Sequence, residues 1–151
     1  MLIGRGKEIK EIIDAISQRK NLFISGPESV GKTFIVQHVI EVTGGKGILY
    51  SNDCSTIKTS LAGFLKGVYD PAFLSSQNIS SLRKLFYKKI KKEKPYLVFD
   101  HMGSVGPKLF SYLENLLDEH QALFVARSTD PKEIGDLSLL LFSFGKLEIH
   151  D

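Results

Sequence analysis

The sequence predicts an α/β fold, with a parallel sheet of about five strands and helices on both faces. Short apolar runs alternate along the chain with segments whose apolar residues recur at helical spacing. Strands that are separated by helices run parallel, and both faces of the resulting sheet need cover. In such sheets ligands lie at the carboxyl ends of the strands, so the residues that follow each strand are the first candidates for a site.

The predicted elements follow one another in a regular order. Apolar residues at helical spacing mark five helices: Ile9, Ile12, Ile13 and Ile16; Ile35, Val36, Val39 and Ile40; Leu61, Phe64, Leu65 and Val68; Leu82, Leu85, Phe86 and Ile90; Leu109, Leu113, Leu116 and Leu117. The predicted strands are 21–25, 47–51, 96–99, 122–126 and 146–149. Asp70-Pro71 is expected to stop the third helix, and Ser80 or Ser81 to cap the fourth. The apolar stretch 137–144 fits either helix or strand.

Composition places the chain among ordinary globular proteins. Its 151 residues fit a single domain spanning 1–151, with 42% hydrophobic and 25% charged residues. No apolar run reaches the roughly 20 residues that would cross a membrane. The single cysteine, Cys54, excludes an internal disulfide framework and fits a reducing cytoplasm. The net charge of +3 is too small to indicate nucleic-acid binding by itself.

The turn after the first strand carries a phosphate-binding motif. Its residues are Gly26, Pro27, Glu28, Ser29, Val30, Gly31, Lys32 and Thr33, followed by Phe34 at the start of a helix. This is the Walker A pattern, G-x-x-x-x-G-K-[ST], between a strand and a helix. Backbone amides of the loop and the helix N-terminus would bind triphosphate oxygens. Lys32 would reach the β- and γ-phosphates, and the Thr33 hydroxyl would ligate Mg²⁺, so ATP with Mg²⁺ is the predicted ligand.

The apolar strand 96–99 ends in Asp100, which fits the Walker B pattern. Such a carboxylate holds Mg²⁺, often through water. Many ATPases of this type have a glutamate next, which polarises the attacking water, but this chain has His101. Three readings stay open: His101 positions the water, another carboxylate such as Glu28 does so, or hydrolysis is slow. His101 could equally be a partly exposed turn residue.

The fourth strand is followed by Arg127, Ser128 and Thr129. In some P-loop proteins an additional strand lies between the strand before the Walker A loop and the strand that carries the Walker B aspartate, and a polar residue at the end of this additional strand faces the γ-phosphate. Ser128 or Thr129 could occupy that position. Arg127 could sense phosphate or reach the site of a neighbouring subunit, as an arginine finger does. The alternatives are ordinary turn formers and a surface arginine.

Three segments together resemble the AAA+ class, and within it the STAND-like archaeal ATPase family. They are the opening IGRGKEI, the Walker A sequence GPESVGKT and the Walker B sequence YLVFD. The resemblance implies a P-loop NTPase fold in three layers, with strand order 5-1-4-3-2. It also implies an adenine pocket formed partly by Leu2, Ile3 and Gly4. For an ATPase of this type we expect nucleotide turnover to switch contacts with a partner or a sister subunit. The family has an acidic residue where this chain has His101.

Family members also continue into a helical lid over the nucleotide, whereas this sequence stops at Asp151. We therefore expect either a fragment or a minimal domain. Two other functions remain as alternatives. One is a non-hydrolysing or DNA-associated module, in which the lysine-rich run 88–94 would contact phosphates, although such runs are more often a solvated helix face. The other is a small-molecule kinase, for which the sequence offers no acceptor site.

Overall fold

The computed structural model describes residues 4–27, 30–127 and 136–150. Its strands are β1 (Leu22–Ser25), β2 (Ile48–Ser51), β3 (Tyr96–Met102), β4 (Ala122–Ala126) and β5 (Gly145–Glu148). Its helices are α1 (Gly6–Ser17), α2 (Lys32–Val42), α3 (Ile57–Leu65), α4 (Pro71–Ser76), α5 (Ile79–Glu93) and α6 (Pro107–Leu117). The ambiguous stretch forms two short 3-10 helices, Asp136–Leu139 and Leu141–Ser143.

The five strands form one sheet in the order β2-β3-β4-β1-β5, and every neighbouring pair is parallel. Read from the other edge this is 5-1-4-3-2, so the predicted strand order is confirmed. β4 lies between β1 and β3, as expected for a strand inserted between the two Walker strands. The carboxyl ends of β1, β4 and β3 therefore lie side by side at one edge of the sheet.

Alternating side chains of the strands enter two separate apolar clusters. On β4, Leu123 and Val125 pack with Ile12 of α1 and Val36 of α2 on one face. On the opposite face the intervening residues pack with the apolar sides of α3, α4, α5 and α6 and with the 3-10 helices, in a cluster that includes Ala122, Phe124, Leu61, Leu74, Phe86 and Leu113. Both faces are covered, which confirms the α/β fold in three layers.

The third predicted helix is shorter than its apolar pattern indicated. α3 ends at Leu65, and Val68 lies beyond it with 52% of its surface exposed. Asp70-Pro71 begins the next helix rather than only ending this one. The Asp70 carboxylate accepts a hydrogen bond from the Ala72 amide, and Pro71 occupies the first helical position, where a missing N–H costs nothing.

The predicted caps at Ser80 or Ser81 were wrong. Asn78 caps α5, because its side-chain oxygen accepts a 2.8 Å hydrogen bond from the Ser81 amide. Asparagine and serine are both favoured at this position, so residue type alone does not choose between Asn78 and the serines that follow Ile79. None of the helices in the described ranges is long and apolar enough to cross a bilayer.

Candidate nucleotide site

The turn from β1 into α2 depends on two glycines with positive φ. Gly26 has φ 150°, and a Cβ atom there would lie 2.5 Å from the carbonyl oxygen of Ile149, after β5. Gly31 has φ 80° and immediately precedes α2. The first glycine therefore permits close approach of two backbones, and the second permits the left-handed turn that starts the helix.

Lys32 lies at the first position of α2 and is only 5% exposed. Its ammonium group donates hydrogen bonds to the carbonyl oxygens of Gly26 and Pro27, the latter at 2.8 Å. The charge is therefore held against the loop that the Walker A motif forms. Phosphate oxygens entering this loop would offer the ammonium group charged acceptors in place of neutral carbonyls, which is a stronger interaction.

Thr33 and Asp100 meet although 67 positions separate them in sequence. The Thr33 hydroxyl donates to Oδ1 of Asp100 at 3.2 Å. Asp100 is 1% exposed, and its Oδ1 also accepts from the His101 amide at 2.7 Å. The predicted Mg²⁺ ligands thus lie together. In the described part of the chain, no group of three or more His, Cys, Asp and Glu residues is arranged to hold a metal ion.

Tyr50 is a member of this site that the sequence did not reveal. Its hydroxyl donates a 2.5 Å hydrogen bond to Oδ2 of Asp100, and it accepts one from Gln37 Nε2 at 3.4 Å. Burial, reinforced by the hydrogen bond to Asp100, raises the pKa of Tyr50 well above its usual value, so the hydroxyl stays a donor. No sequence pattern indicated this contact, because it depends on strand register: Tyr50 pairs with Val98, two residues before Asp100 on the same face of the sheet.

His101 lies in a bulge of β3. Phe99 pairs with Phe124 and Met102 with Ala126, so β3 uses one more residue than β4 over this interval. His101 has φ 53° and an exposed side chain. The sequence left its role open, and the structure places its side chain at the wall of a cavity rather than in the core.

Arg127 follows β4 and lies beside the end of β3. Its amide donates to the Met102 carbonyl at 2.7 Å. The Arg127 guanidinium group lies directly over Gly103, because a Cβ atom added at this glycine would be 2.9 Å from Nη2 of Arg127. The exposed arginine is thereby held at the same edge of the sheet as Asp100 and His101.

These residues enclose one cavity of about 430 Å³ at the carboxyl ends of the strands. Its walls are formed by Gly31, Lys32, Thr33, Asp100, His101, Val125, Ala126 and Arg127. The cavity brings together the two Walker motifs and the end of the inserted strand. Its location is the one that parallel sheets use for ligands.

Other predicted site residues lie around this cavity or outside the described part of the chain. Val30 is half-buried, and its amide donates to the Pro27 carbonyl; Phe34 is 49% exposed on α2. Gly4 is exposed with φ 83°. Leu2, Ile3, Glu28, Ser29, Ser128 and Thr129 lie outside the described residues. The adenine pocket and the γ-phosphate sensor therefore stay predictions.

Comparison with known proteins finds the fold but no relative by sequence. No protein-family model matches the chain, and no curated protein matches it. Among solved structures, the ORC2 protein of Aeropyrum pernix in ADPNP–ADP complexes has a TM-score of 0.59 and 17% identity, over 97% of this chain and 48% of that one. Pif1 of Bacteroides sp. in complex with ADP-AlF4 has a TM-score of 0.56 and 18% identity, over 100% and 42%.

A third similar structure is Drosophila ORC bound to poly(dA/dT) DNA and Cdc6, with a TM-score of 0.54 and 9% identity over 99% of this chain and 29% of that one. The chain spans less than half the length of each of these three structures. Identities this low establish the fold alone. The chain has the P-loop NTPase fold.

Proposed function

We propose that this domain binds Mg·ATP at its P-loop and hydrolyses it, acting as a nucleotide-driven switch of the AAA+/STAND type. One observation carries the proposal: the 3.2 Å contact between the Thr33 hydroxyl and the buried carboxylate of Asp100. A hydroxyl at the start of the P-loop helix and the aspartate of the Walker B strand are the protein ligands that Mg²⁺ takes in P-loop NTPases.

The other predicted site residues also have roles in this proposal. The loop amides and Lys32 would bind the triphosphate, while Thr33 and Asp100 would hold Mg²⁺, whose charge offsets that of the β- and γ-phosphates. Arg127 would contact the γ-phosphate or act across an interface with a second subunit. Ser128 would sense the γ-phosphate, and Ile3 and Gly4 would cover the adenine ring.

A switch requires that ATP and ADP stabilise different arrangements. Arg127 is exposed at the cavity wall, so its guanidinium can respond to the presence of a γ-phosphate while remaining accessible to another molecule. We therefore include a protein partner or a second copy of the chain in the proposal. Loss of the γ-phosphate would remove the contact that keeps this edge of the sheet in its ATP-bound arrangement.

The proposal is tested by measuring ATP binding and phosphate release separately. Calorimetric titration with Mg·ATP gives the affinity, and phosphate release gives the turnover rate. Lys32→Ala should weaken binding at least tenfold, because Lys32 is the only charged residue among the described residues of the Walker A motif and would no longer contact the phosphates. Lys46→Ala, which removes an exposed lysine away from the cavity, is the matched control. Failure of the unmodified protein to bind Mg·ATP would reject the proposal.

Two other outcomes would redirect the assignment. Tight Mg·ATP binding without phosphate release would favour a non-hydrolysing nucleotide-binding module. Formation of ADP only after a nucleoside or a sugar is added would favour a small-molecule kinase. Both assays use the same protein preparation, so they distinguish hydrolysis from transfer directly.

DNA association is the second candidate function. Lys88, Lys91, Lys92 and Lys94 are exposed, whereas Lys89 pairs with Glu93 at 2.8 Å and Ile90 is buried. A solvated helix face would have the same arrangement, so the lysines do not favour DNA binding by themselves. The observation that favours this candidate is the similarity to a DNA-bound ORC structure. Fluorescence anisotropy with labelled DNA at several salt concentrations tests it, because phosphate contacts give a steep salt dependence. Absence of binding at low salt would reject this candidate.

A further inference from the structure

A second cavity adjoins the proposed nucleotide cavity. It has a volume of about 380 Å³ and is lined by Asn52, Asp53, Ser55, His101 and Arg127. Every one of these side chains is polar or charged. His101 and Arg127 also line the nucleotide cavity, so the two cavities meet across them. The second cavity is therefore a polar space next to the region where a triphosphate would lie.

The loop that carries Asp53 is fixed to the Walker B strand. It follows β2, and the amide of Cys54 donates a 3.0 Å hydrogen bond to the carbonyl oxygen of Asp100. The Cys54 side chain is fully buried in the apolar cluster that also contains Leu61 and Phe124, and this burial anchors the loop to the core. Asp53 is thus held beside the strand end that carries Asp100 and His101.

The carboxylate of Asp53 has a defined orientation. Its Oδ1 accepts a 3.0 Å hydrogen bond from the Ser55 amide, and the residue is only partly exposed. An oriented carboxylate at a cavity wall can accept a proton from a group that enters the cavity. A carboxylate that rotated freely in solvent would do so less effectively, since general-base catalysis requires the base to lie within hydrogen-bond reach.

The other acidic group at these cavities is already engaged. Oδ1 of Asp100 accepts from Thr33 and from the His101 amide, and Oδ2 accepts from Tyr50. Asp100 is also the proposed Mg²⁺ ligand, so its carboxylate already has a role in the proposed site. Among the described residues that line the two cavities, Asp53 and Asp100 are the carboxylates. The position after Asp100 offers only an imidazole.

We propose that Asp53 is the general base that orients and deprotonates the attacking water. This inference rests on the proposed ATPase function. The water oxygen forms a bond to the γ-phosphorus, and the bond from that phosphorus to the β–γ bridging oxygen breaks. The electron pair of the broken bond stays on the β-phosphate of ADP, and the proton of the water passes to the Asp53 carboxylate. The carboxylate missing after Asp100 is supplied by the loop that follows the neighbouring strand β2.

The test compares Asp53→Asn with Asp118→Asn, which removes an exposed carboxylate after α6. Single-turnover phosphate release at saturating Mg·ATP gives the chemical step, and calorimetry gives the affinity. Removing a general base costs about 10²- to 10⁴-fold in rate. We expect Asp53→Asn to lose at least a hundredfold in rate while its affinity for Mg·ATP changes less than about threefold. Asp118→Asn should match the unmodified protein.

Three results separate failure of the inference from failure of the proposed function. If the unmodified protein does not release phosphate, the proposed hydrolysis itself is wrong and Asp53 has no such role. If it does, and Asp53→Asn keeps its rate within threefold, only the inference is wrong. A parallel loss of affinity and rate would also overturn it, because Asp53 would then shape the loop rather than act on water.

His101→Ala is the competing variant at the shared wall. A hundredfold loss of rate in His101→Ala, together with a normal rate in Asp53→Asn, would overturn the inference and assign the role to His101. Thermal unfolding of each variant checks that the fold is intact. Asp53→Glu should recover part of the rate lost in Asp53→Asn, because it restores a carboxylate at a slightly different reach.

Discussion

The hydroxyl of Tyr50 donates a 2.5 Å hydrogen bond to Oδ2 of Asp100. The two residues lie on neighbouring strands, and the contact leaves Oδ1 to face the Thr33 hydroxyl. Groups that orient a metal-binding carboxylate in this way affect metal binding without touching the ion. Tyr50 is therefore a positioning residue for the proposed Mg²⁺ site.

Tyr50→Phe should raise the Mg²⁺ concentration needed for half-maximal ATP binding about tenfold, because the Asp100 carboxylate loses the donor that orients it. Tyr69→Phe, which removes a hydroxyl from a tyrosine stacked on Phe73, should leave it unchanged. The measurement is an ATP-binding titration at increasing Mg²⁺. Identical Mg²⁺ dependence in Tyr50→Phe and the unmodified protein would show that this hydrogen bond does not tune the site.

Gly26→Ala and Gly31→Ala should differ in their effect on stability. Both positions have positive φ, which disfavours alanine by about 1 kcal/mol. Only at Gly26 would the new Cβ meet a backbone atom, the Ile149 oxygen at 2.5 Å; at Gly31 the nearest atom is Phe34 Cβ at 4.0 Å. We expect Gly26→Ala to cost about 2 kcal/mol more in the free energy of unfolding, which urea denaturation measures. Equal losses would contradict this account.

The bulge at His101 gives a third prediction. His101→Val should be less stable than His101→Gly by about 1 kcal/mol or more, because a β-branched residue is strongly disfavoured at φ 53°. The side chain is exposed, so the comparison isolates backbone strain from packing. Urea denaturation of the two variants gives the difference. If the valine variant were as stable as the glycine variant, the left-handed conformation would not be a constraint on the folded protein.

Alkaline pH should destabilise the protein. Burial raises the pKa of the Cys54 thiol to about 12, and burial also raises the pKa values of Tyr50, Tyr96 and Tyr112. When the pKa of a group is higher in the folded than in the unfolded protein, its contribution to stability is complete at pH values below the pKa of the unfolded state. That contribution is lost as the pH rises through the pKa of the folded state. For Cys54 alone the free energy of unfolding should fall by up to about 1.4 kcal/mol per pH unit from pH 9 towards pH 12.

Urea denaturation at pH 8, 9 and 10 tests this, because the thiol of the unfolded chain ionises at lower pH than its tyrosines do. Cys54→Ala should show a smaller decline between pH 9 and pH 10 than the unmodified protein, because it has no thiol to ionise. The alanine variant will be less stable at every pH, so the slope and not the absolute value is compared. Parallel slopes would mean that Cys54 does not contribute to the alkaline loss.

The sequence by itself predicted much of the candidate nucleotide site. The Walker A loop, the strand that precedes it and the helix that follows it are local patterns, in which spacing and residue type define the structure. Asp100 could be predicted because it ends an apolar strand. The exact helix ends were predicted less well: α3 ends before Val68, and α5 is capped by Asn78 rather than by a serine.

Tertiary structure alone decided which side chains meet at this edge of the sheet. The contact of Tyr50 with Asp100 depends on the register of β2 against β3, and the exposure of His101 depends on a one-residue bulge. Asp53 borders the second cavity because its loop is held against β3 by the buried side chain of Cys54 and by the hydrogen bond from the Cys54 amide to the Asp100 carbonyl. Periodicity encodes which face of a strand each residue occupies, but register and bulges arise from packing between segments that are distant in sequence.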